Sequence, residues 1–306
     1  MRGGGSGVAP FATLLGLMLA AMASLAVQDA MVKIVSDDVS IWQFNIVRSS
    51  LVLAMLGGYA LVLRPADALR LPHPGWAVAR AVLMVGAFVM FYGSLAFVSL
   101  SQGAATFFAA PLITAAIGMV AGRERVEGRR ILALVAGFSG VLLIVKPWAD
   151  DPELMLLLAL CGAVGYGSAN ALTRLKLRED AALPVTAVQN VLYLPVALGV
   201  LALLDVFEPL RATDYPFLLT AWHEADALAW GLMVGTAITQ AIGAILLTRV
   251  YQVGESSRVA PLEYVYLPMV VAIDLIVWGT VPGLPTLCGM VLIALGGVFV
   301  ARTRTR

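Results

Sequence analysis

Polar and aromatic side chains recur four residues apart within apolar stretches of the chain. Because a spacing of four places both members of a pair on one helix face, each such helix has a polar or aromatic face. Polar groups are costly in hydrocarbon, so these faces usually line a protein interior or a water-filled cavity. Hydrogen bonding between helices without a ligand is the alternative. The pairs are Ser24 and Gln28, Phe88 and Tyr92, Gln102 and Thr106, Tyr166 and Asn170, and Thr236 and Gln240.

From these pairs the sequence predicts a substrate-binding cavity. Its candidate lining residues are Gln28, Phe88, Tyr92, Tyr166, Asn170, Gln240, Glu263 and Tyr264.

The last two candidates come from an unusual segment, PLEYVYLP, at residues 261–268. A carboxylate at Glu263 could pair with a substrate ammonium or take a proton. The alternative is that it pairs with a nearby arginine such as Arg258 or Arg249, or points into cytoplasmic water. Prolines free backbone carbonyls that can bind a ligand or let a helix flex. Pro111, Pro261 and Pro268 are therefore the candidate hinges.

Four charged residues, Asp29, Lys33, Arg48 and Asp274, fall inside apolar stretches. Isolated charges are unfavourable in lipid, so we expect them to form one cluster that serves as a structural or gating network. The alternative is that Arg48 or Lys33 binds a substrate carboxylate directly.

The elements that must position these residues are membrane helices. Of the 306 residues, 60% are hydrophobic and 13% are charged, with a mean hydropathy of +0.91. These values indicate an all-α integral membrane protein. Ten apolar segments are long enough to span a bilayer, at residues 9–35, 41–63, 75–99, 103–121, 129–147, 153–173, 184–204, 227–250, 257–279 and 284–302.

The chain also resembles itself at a shift of 150 positions. Ala110-Pro111-Leu112 falls on Ala260-Pro261-Leu262, and Gly93 falls on Gly243. This predicts two five-helix repeats, residues 1–149 and 150–306. An odd number of spans per repeat places the second repeat upside down relative to the first, an architecture that transporters use for alternating access.

The distribution of charged residues among the connections predicts how the chain is oriented in the membrane. Arginines and lysines concentrate in alternate connections, and acidic residues such as Asp37, Asp38 and Glu224 concentrate in the others. Under the positive-inside rule, both termini are expected in the cytoplasm of a bacterium, with the chain crossing the inner membrane.

Several classes of function are excluded or disfavoured. The two histidines, His73 and His223, fall in connections on opposite faces, and no nucleophile motif or phosphate-binding loop is present. Cys161 and Cys288 have no metal-site spacing, and a net charge of +1 gives no basic surface for nucleic acid. We therefore expect no enzyme activity, no cofactor, no metal and no nucleic-acid partner. The expected partners are a small-molecule substrate and membrane lipid, and the sequence leaves monomer or homodimer open.

A set of charged residues, prolines and glycines recurs in a characteristic order along the chain and is partly doubled. Its members are Lys33, Arg48, Ala110-Pro111, Gly122-Arg123-Glu124, Gly137, Gly140, Pro147, Asp274, Pro282, Gly289 and Gly296. In this order and doubling the chain resembles the drug/metabolite transporter superfamily, in its ten-helix EamA-type branch. The second half departs from the pattern at Thr280 and at Gln189, the counterpart of Arg48. The resemblance implies transport of small metabolites, often outward across the inner membrane.

The sequence thus favours a secondary transporter that exports small metabolites by alternating access. Aromatic walls would suit apolar side chains and flanking amides and charges would suit a zwitterionic head, so neutral or aromatic amino acids are the expected substrates. A multidrug or cation carrier, or a nucleotide-type metabolite carrier, of the same fold is the alternative.

Overall fold

The computed structural model describes residues 11–63, 70–121, 128–146, 154–177, 179–207, 214–253 and 260–302. These residues are helical apart from short connections, and no strand occurs among them. The first half contains α1 (Phe11–Val35), α2 (Ile41–Leu63), α3 (Pro74–Leu95), α4 (Leu100–Phe107), α5 (Ala110–Val120) and α6 (Gly128–Val145). The second half contains α7 (Met155–Lys176), α8 (Ala182–Phe207), α9 (Pro216–Leu219), α10 (Ala227–Val253), α11 (Tyr266–Ile273) and α12 (Leu284–Arg302).

Six helical stretches of the described chain are long and apolar enough to cross a membrane. They are Phe11–Val35, Ile41–Val62, Pro74–Leu95, Leu100–Val120, Met155–Thr173 and Ala182–Phe207. Shorter apolar helices cover Ile131–Val145, Ala227–Gly243 and Leu284–Phe299. The predicted all-helical membrane character is confirmed, and the count of ten spans in two repeats stays a prediction.

Large helix contacts join the first half of the chain to the second. α1 packs along α10, α3 along α7, α2 along α8, and α6 along α12. Small residues allow the closest approaches, as expected for membrane helices. A Cβ built on Gly140 of α6 would lie 2.6 Å from the carbonyl oxygen of Gly289 in α12, and the reverse distance is also 2.6 Å. Gly140 and Gly289 therefore allow α6 and α12 to cross closely.

Two of the predicted spans are not uniform helices. The fourth breaks between α4 and α5, where Ala109 N–H donates to the carbonyl of Thr106 in a tighter turn. The ninth begins as a 3₁₀ helix at Ala260–Val265, continues as α11 and ends as a π-helix at Asp274–Trp278. Gly279, with φ of 65°, ends it in the left-handed conformation that glycine adopts without strain.

The candidate hinge prolines lie near these changes of helix type. Pro111 is in the first turn of α5, Pro261 is in the 3₁₀ segment and Pro268 is in the first turn of α11. A first turn has no internal acceptor for its N–H groups, so proline costs little there. The prolines therefore begin helices, and their hinge role stays a prediction.

Residues 214–226, between α8 and α10, cover the face at which α1 ends and α2 begins. Trp42 Nε1 donates to the carbonyl of Leu218 at 2.8 Å. The side-chain amide of Gln43 both donates to the His223 carbonyl and accepts from its N–H, each at 3.0 Å. Phe217, which belongs to this segment, is fully buried. A part of the second half is thus fixed to α2 of the first.

Candidate functional site

The break between α4 and α5 sends two consecutive phenylalanines to different neighbours. We define the first aromatic cluster as Phe88, Phe91 and Tyr92 of α3, Phe107 of α4 and Tyr166 of α7, with ring centroids 4.4–6.0 Å apart. The second aromatic cluster is Phe108 with Tyr264 and Tyr266. Phe108 stacks on Tyr266 at 5.0 Å and meets Tyr264 edge-on at 5.7 Å. Aromatic rings therefore line both sides of the break.

Two consecutive residues of α1 connect to these clusters. Gln28 Nε2 donates to the hydroxyl of Tyr92 at 2.8 Å. The Tyr266 hydroxyl donates a short hydrogen bond to the carboxylate of Asp29. α1 thus ties the first aromatic cluster to the second near the crossing of α3, α4 and the ninth predicted span.

Arg48 of α2 is 2% exposed, and its guanidinium lies among aromatic rings. Its carbon Cζ is 5.1 Å from the ring centre of Phe44, 5.4 Å from that of Tyr92 and 5.2 Å from that of Tyr193. Nη2 donates to Asn45 Oδ1 at 2.8 Å and Nη1 donates to the Tyr92 hydroxyl at 3.4 Å. Asp29 is close enough to attract this charge. Desolvated cation–π contacts and a nearby carboxylate stabilise a buried guanidinium.

Lys33 and Asp274 complement the ends of two helices. Lys33 Nζ donates to the carbonyls of Leu95 and Val98, 2.7 and 2.6 Å away, just beyond the last turn of α3. The carboxylate of Asp274 accepts from the N–H groups of Leu100 and Ser101 at 3.2 and 2.7 Å, in the first turn of α4. A cation at the C-terminal end of a helix and an anion at its N-terminal end are stabilising, because each is opposite in sign to the partial charge of that end.

The four charged residues were expected to form one cluster. Among the described residues they instead form two pairs. The hydrogen bonds of Asp29, Lys33, Arg48 and Asp274 reach neutral groups, and Coulomb attraction links them as two pairs, Asp29 with Arg48 and Lys33 with Asp274. Neutral dipoles can reach a buried charge without the cost of desolvating a second ion.

The other candidate residues divide between the site and helix packing. Tyr166 and Asn170 lie side by side, and Glu263 is close enough to Tyr166 and Tyr264 to interact with both electrostatically. Other members of the four-residue pairs bond to backbone as in ordinary packing. Ser24 donates to Thr239 O, Thr106 to Gln102 O and Thr236 to Met233 O. Gln102 and Ser99 form the capping box of α4.

Several buried polar atoms have no hydrogen-bond partner among the residues that the structure describes. They include Gln28 Oε1, Arg48 Nε, Gln240 Oε1 and the Tyr264 hydroxyl. Gln28 and Arg48 contact Tyr92 of the first aromatic cluster, and Tyr264 belongs to the second. Buried polar groups are normally paired, so orphaned atoms beside the aromatic clusters indicate a place where a ligand or water completes the bonding.

Sequence reasoning missed three residues around Arg48. Phe44 and Asn45 lie four and three residues before it on α2, and Tyr193 lies on α8. The helical spacing could have identified Phe44 and Asn45, because such positions share a face. The contact with Tyr193 depends on the packing of α2 against α8, for which the sequence carries no local signal.

Comparisons with known proteins show similarity to a family of transporters. Residues 13–146 match the model of the EamA-like transporter family. A riboflavin transporter of Vibrio cholerae is 27% identical over 263 residues, which cover 85% of this chain and 83% of that protein. A riboflavin transporter of Brucella anthropi is 23% identical over 265 residues, covering 86% and 87%. A solved crystal structure has the same fold, with a TM-score of 0.60, 16% identity, and coverage of 93% of this chain and 96% of its own.

Proposed function

We propose that the chain is a transporter of the drug/metabolite type, as the match of residues 13–146 to the EamA-like family supports, and that it carries a planar heteroaromatic metabolite such as riboflavin. It works as a secondary carrier, by alternating access. The observation that carries this proposal is the pair of aromatic clusters at the break between α4 and α5, with unpartnered polar atoms beside them. Stacked rings and a few hydrogen-bonding groups are what a flat polar ring needs.

The proposed architecture is ten spans in two inverted repeats, residues 1–149 and 150–306. In this scheme α1, α2, α3, α4–α5 and α6 correspond to α7, α8, α10, the ninth span and α12. The contact pattern supports it, because exchanging counterparts turns the α1–α10 contact into α3–α7 and the α3–α8 contact into α2–α10. The α2–α8 and α6–α12 contacts map onto themselves. A two-fold axis in the membrane plane has this effect.

The proposed location is a bacterial inner membrane with both termini in the cytoplasm, on the charge bias of the connections. On that orientation, the face covered by residues 214–226 is the outer one.

Neutral or aromatic amino acids, expected from the sequence, are the second candidate substrates. The observation in their favour is that Arg48 and Asp29, which lie together, would offer both signs of charge to a zwitterion. The relatives' names, however, point to a flavin.

Flux from proteoliposomes tests the proposal. Liposomes containing the purified protein and preloaded with riboflavin are expected to release it several-fold faster than protein-free liposomes, followed by flavin fluorescence. Phe108→Ala removes a ring from the second aromatic cluster and is expected to slow release about tenfold, since stacking is lost. Phe207→Ala, at a position that is 72% exposed, is the matched control and should keep the wild-type rate.

Two outcomes would redirect the assignment. Release of phenylalanine or leucine without release of riboflavin would replace the flavin by the second candidate. Riboflavin release no faster than from protein-free liposomes, together with no amino-acid flux, would overturn both substrates.

A further inference from the structure

We propose that Gln28 and Arg48 together recognise an imide edge, C(=O)–NH–C(=O), on the transported ring. This inference rests on the proposed function and specifies the substrate class of the same site. The isoalloxazine ring of flavins carries such an edge, and so do other uracil-like heterocycles.

The two side chains meet at one atom, the hydroxyl of Tyr92. Gln28 Nε2 donates to it at 2.8 Å and Arg48 Nη1 donates to it at 3.4 Å. The shared partner keeps the ends of the two side chains adjacent. Gln28 is 4% exposed and Arg48 is 2% exposed, so neither is an ordinary solvated group.

Each side chain has a free hydrogen-bonding atom of the opposite kind. Within the described part of the chain, Gln28 Oε1, an acceptor, has no hydrogen-bond partner, and Arg48 Nε, a donor, has none either. Gln28 Nε2 and Arg48 Nη1 each donate a hydrogen bond to the Tyr92 hydroxyl, and Arg48 Nη2 donates one to Asn45. A ligand edge with a donor next to an acceptor satisfies both free atoms. The imide N–H donates to Gln28 Oε1, and the adjoining carbonyl accepts from Arg48 Nε.

Charge around the two atoms favours a neutral edge. Asp29 is close enough to Arg48 for the two groups to interact electrostatically. A ligand carboxylate would bring an anion against Asp29 and the Gln28 oxygen, and a ligand ammonium would bring a cation against Arg48, so each would leave a buried charge poorly paired. An imide completes the hydrogen bonds and adds no net charge.

Aromatic side chains beside the two free atoms offer a surface on which the ligand ring that bears the imide edge can stack. Phe88 stacks on Tyr92 with centroids 5.5 Å apart and an angle of 28° between planes, and Phe107 lies 6.0 Å from Phe88. In this conformation the two free atoms are closed off from solvent. Under alternating access, opening of the face covered by residues 214–226 exposes Gln28 Oε1 and Arg48 Nε to a ligand, together with the aromatic rings.

The test compares riboflavin with 3-methylriboflavin, in which a methyl group replaces the imide hydrogen. Inhibition of riboflavin flux by each compound gives its apparent affinity in proteoliposomes. In the wild type, 3-methylriboflavin is expected to bind about tenfold more weakly or worse, because the Gln28 oxygen stays unpaired and the methyl group lies against it. In Gln28→Met the ratio of the apparent affinities for riboflavin and 3-methylriboflavin should fall to about one. Gln240→Met, which removes a second glutamine whose amide oxygen has no partner among the described residues, should keep the preference even if total flux falls.

The outcomes separate the two proposals. Wild-type protein that carries riboflavin but binds the methylated compound equally well overturns the imide assignment and leaves the carrier assignment intact. A preference that persists in Gln28→Met also overturns it. Absence of riboflavin flux in the wild type overturns the proposed function itself. If Gln28→Met does not fold, the wild-type comparison decides alone.

Discussion

The hydrogen bond between Asp29 and Tyr266 joins α1 to α11 inside the protein. Asp29 is 8% exposed and Tyr266 is 4% exposed, so water does not readily replace either partner. Loss of one partner removes this hydrogen bond from a buried polar group, although Asp29 keeps Tyr92 as a second neighbour.

A double-mutant cycle on this pair is the first prediction. Asp29→Asn and Tyr266→Phe are each expected to lower the unfolding temperature in detergent, and the double variant should lower it by less than the sum. The expected coupling free energy is about 1–2 kcal/mol. Strict additivity of the two shifts would show that the bond makes no net contribution.

At the end of the molecule where α3 begins, His73 is hydrogen-bonded to Asp180. The His73 N–H donates to Oδ1 and its ring Nδ1 lies beside Oδ2, each at 2.9 Å. Burial acts to raise the pKa of the Asp180 carboxyl. The hydrogen bonds from His73 and the charges of His73 and Arg70 outweigh it, and hold that pKa below its ordinary value of 3.8.

The second prediction follows from the sign of this shift. A carboxyl with a lowered pKa in the folded state stabilises that state above its unfolded pKa, and the effect is lost as pH falls through the folded pKa. Asp180→Asn should therefore reduce thermal stability at pH 7, and the difference from wild type should shrink below about pH 3.8. Scanning fluorimetry across this range measures it, with Glu179→Gln as an exposed neighbouring control. A difference that stayed constant down to pH 3 would argue against the ion pair.

At the scale of the helix, glycines determine how closely α6 and α12 approach. A Cβ on Gly289 would lie 2.6 Å from the carbonyl oxygen of Gly140 and equally close to a side-chain carbon of Ile144. Backbone atoms cannot rotate away, so the two helices would have to separate.

The third prediction compares two glycine substitutions. Gly289→Ala should lower the unfolding temperature by several degrees, which corresponds to roughly 1–3 kcal/mol of overpacking. Gly199→Ala is the matched control, because a Cβ there meets nothing within 4 Å in the middle of α8. Size-exclusion profiles and thermal shifts of both variants provide the measurement. Equal stability of the two variants would mean that the α6–α12 crossing has room to relax.

Element boundaries were partly predictable from the sequence. Long apolar runs located α1, α2, α3, α7 and α8 closely, because hydropathy over about 20 residues is a strong signal. The break after Phe107 and the change of helix type along 260–278 carry no such signal. They depend on contacts of Phe108 with Tyr264 and Tyr266, which lie more than 150 residues away in the chain.

The candidate site was predictable to a similar extent. Four-residue spacing selected Gln28 and Tyr92, which do bond to each other, but it also selected Ser24 and Thr236, whose contacts are those of helix packing. Spacing identifies a shared face and gives no information about the element that covers it. The pairing of Lys33 with carbonyls and of Asp274 with N–H groups likewise depends on which helix ends lie opposite them.

At the scale of the whole molecule, orientation is the property open to a direct test. With Cys161 and Cys288 replaced by serine, single cysteines at Asp37, Glu224 and Glu179 lie at exposed positions. An impermeant maleimide should label positions 37 and 224 in intact cells, and position 179 only after the membrane is opened, as the positive-inside rule requires. Labelling of 37 and 179 from the same side would overturn the proposed topology.

The way the two halves interlock also bears on how such a chain could have arisen. α1, α2, α3 and α6 each lie along a helix from beyond residue 149, and Trp42 and Gln43 of α2 hold residues 214–226 as well. Expressed without the remainder, the first 149 residues would leave those packing faces bare. On the inverted arrangement proposed here, a second copy inserted the other way up would supply the missing surfaces. A single-repeat ancestor would then have been an antiparallel homodimer, and gene fusion would have fixed two insertion directions within one polypeptide.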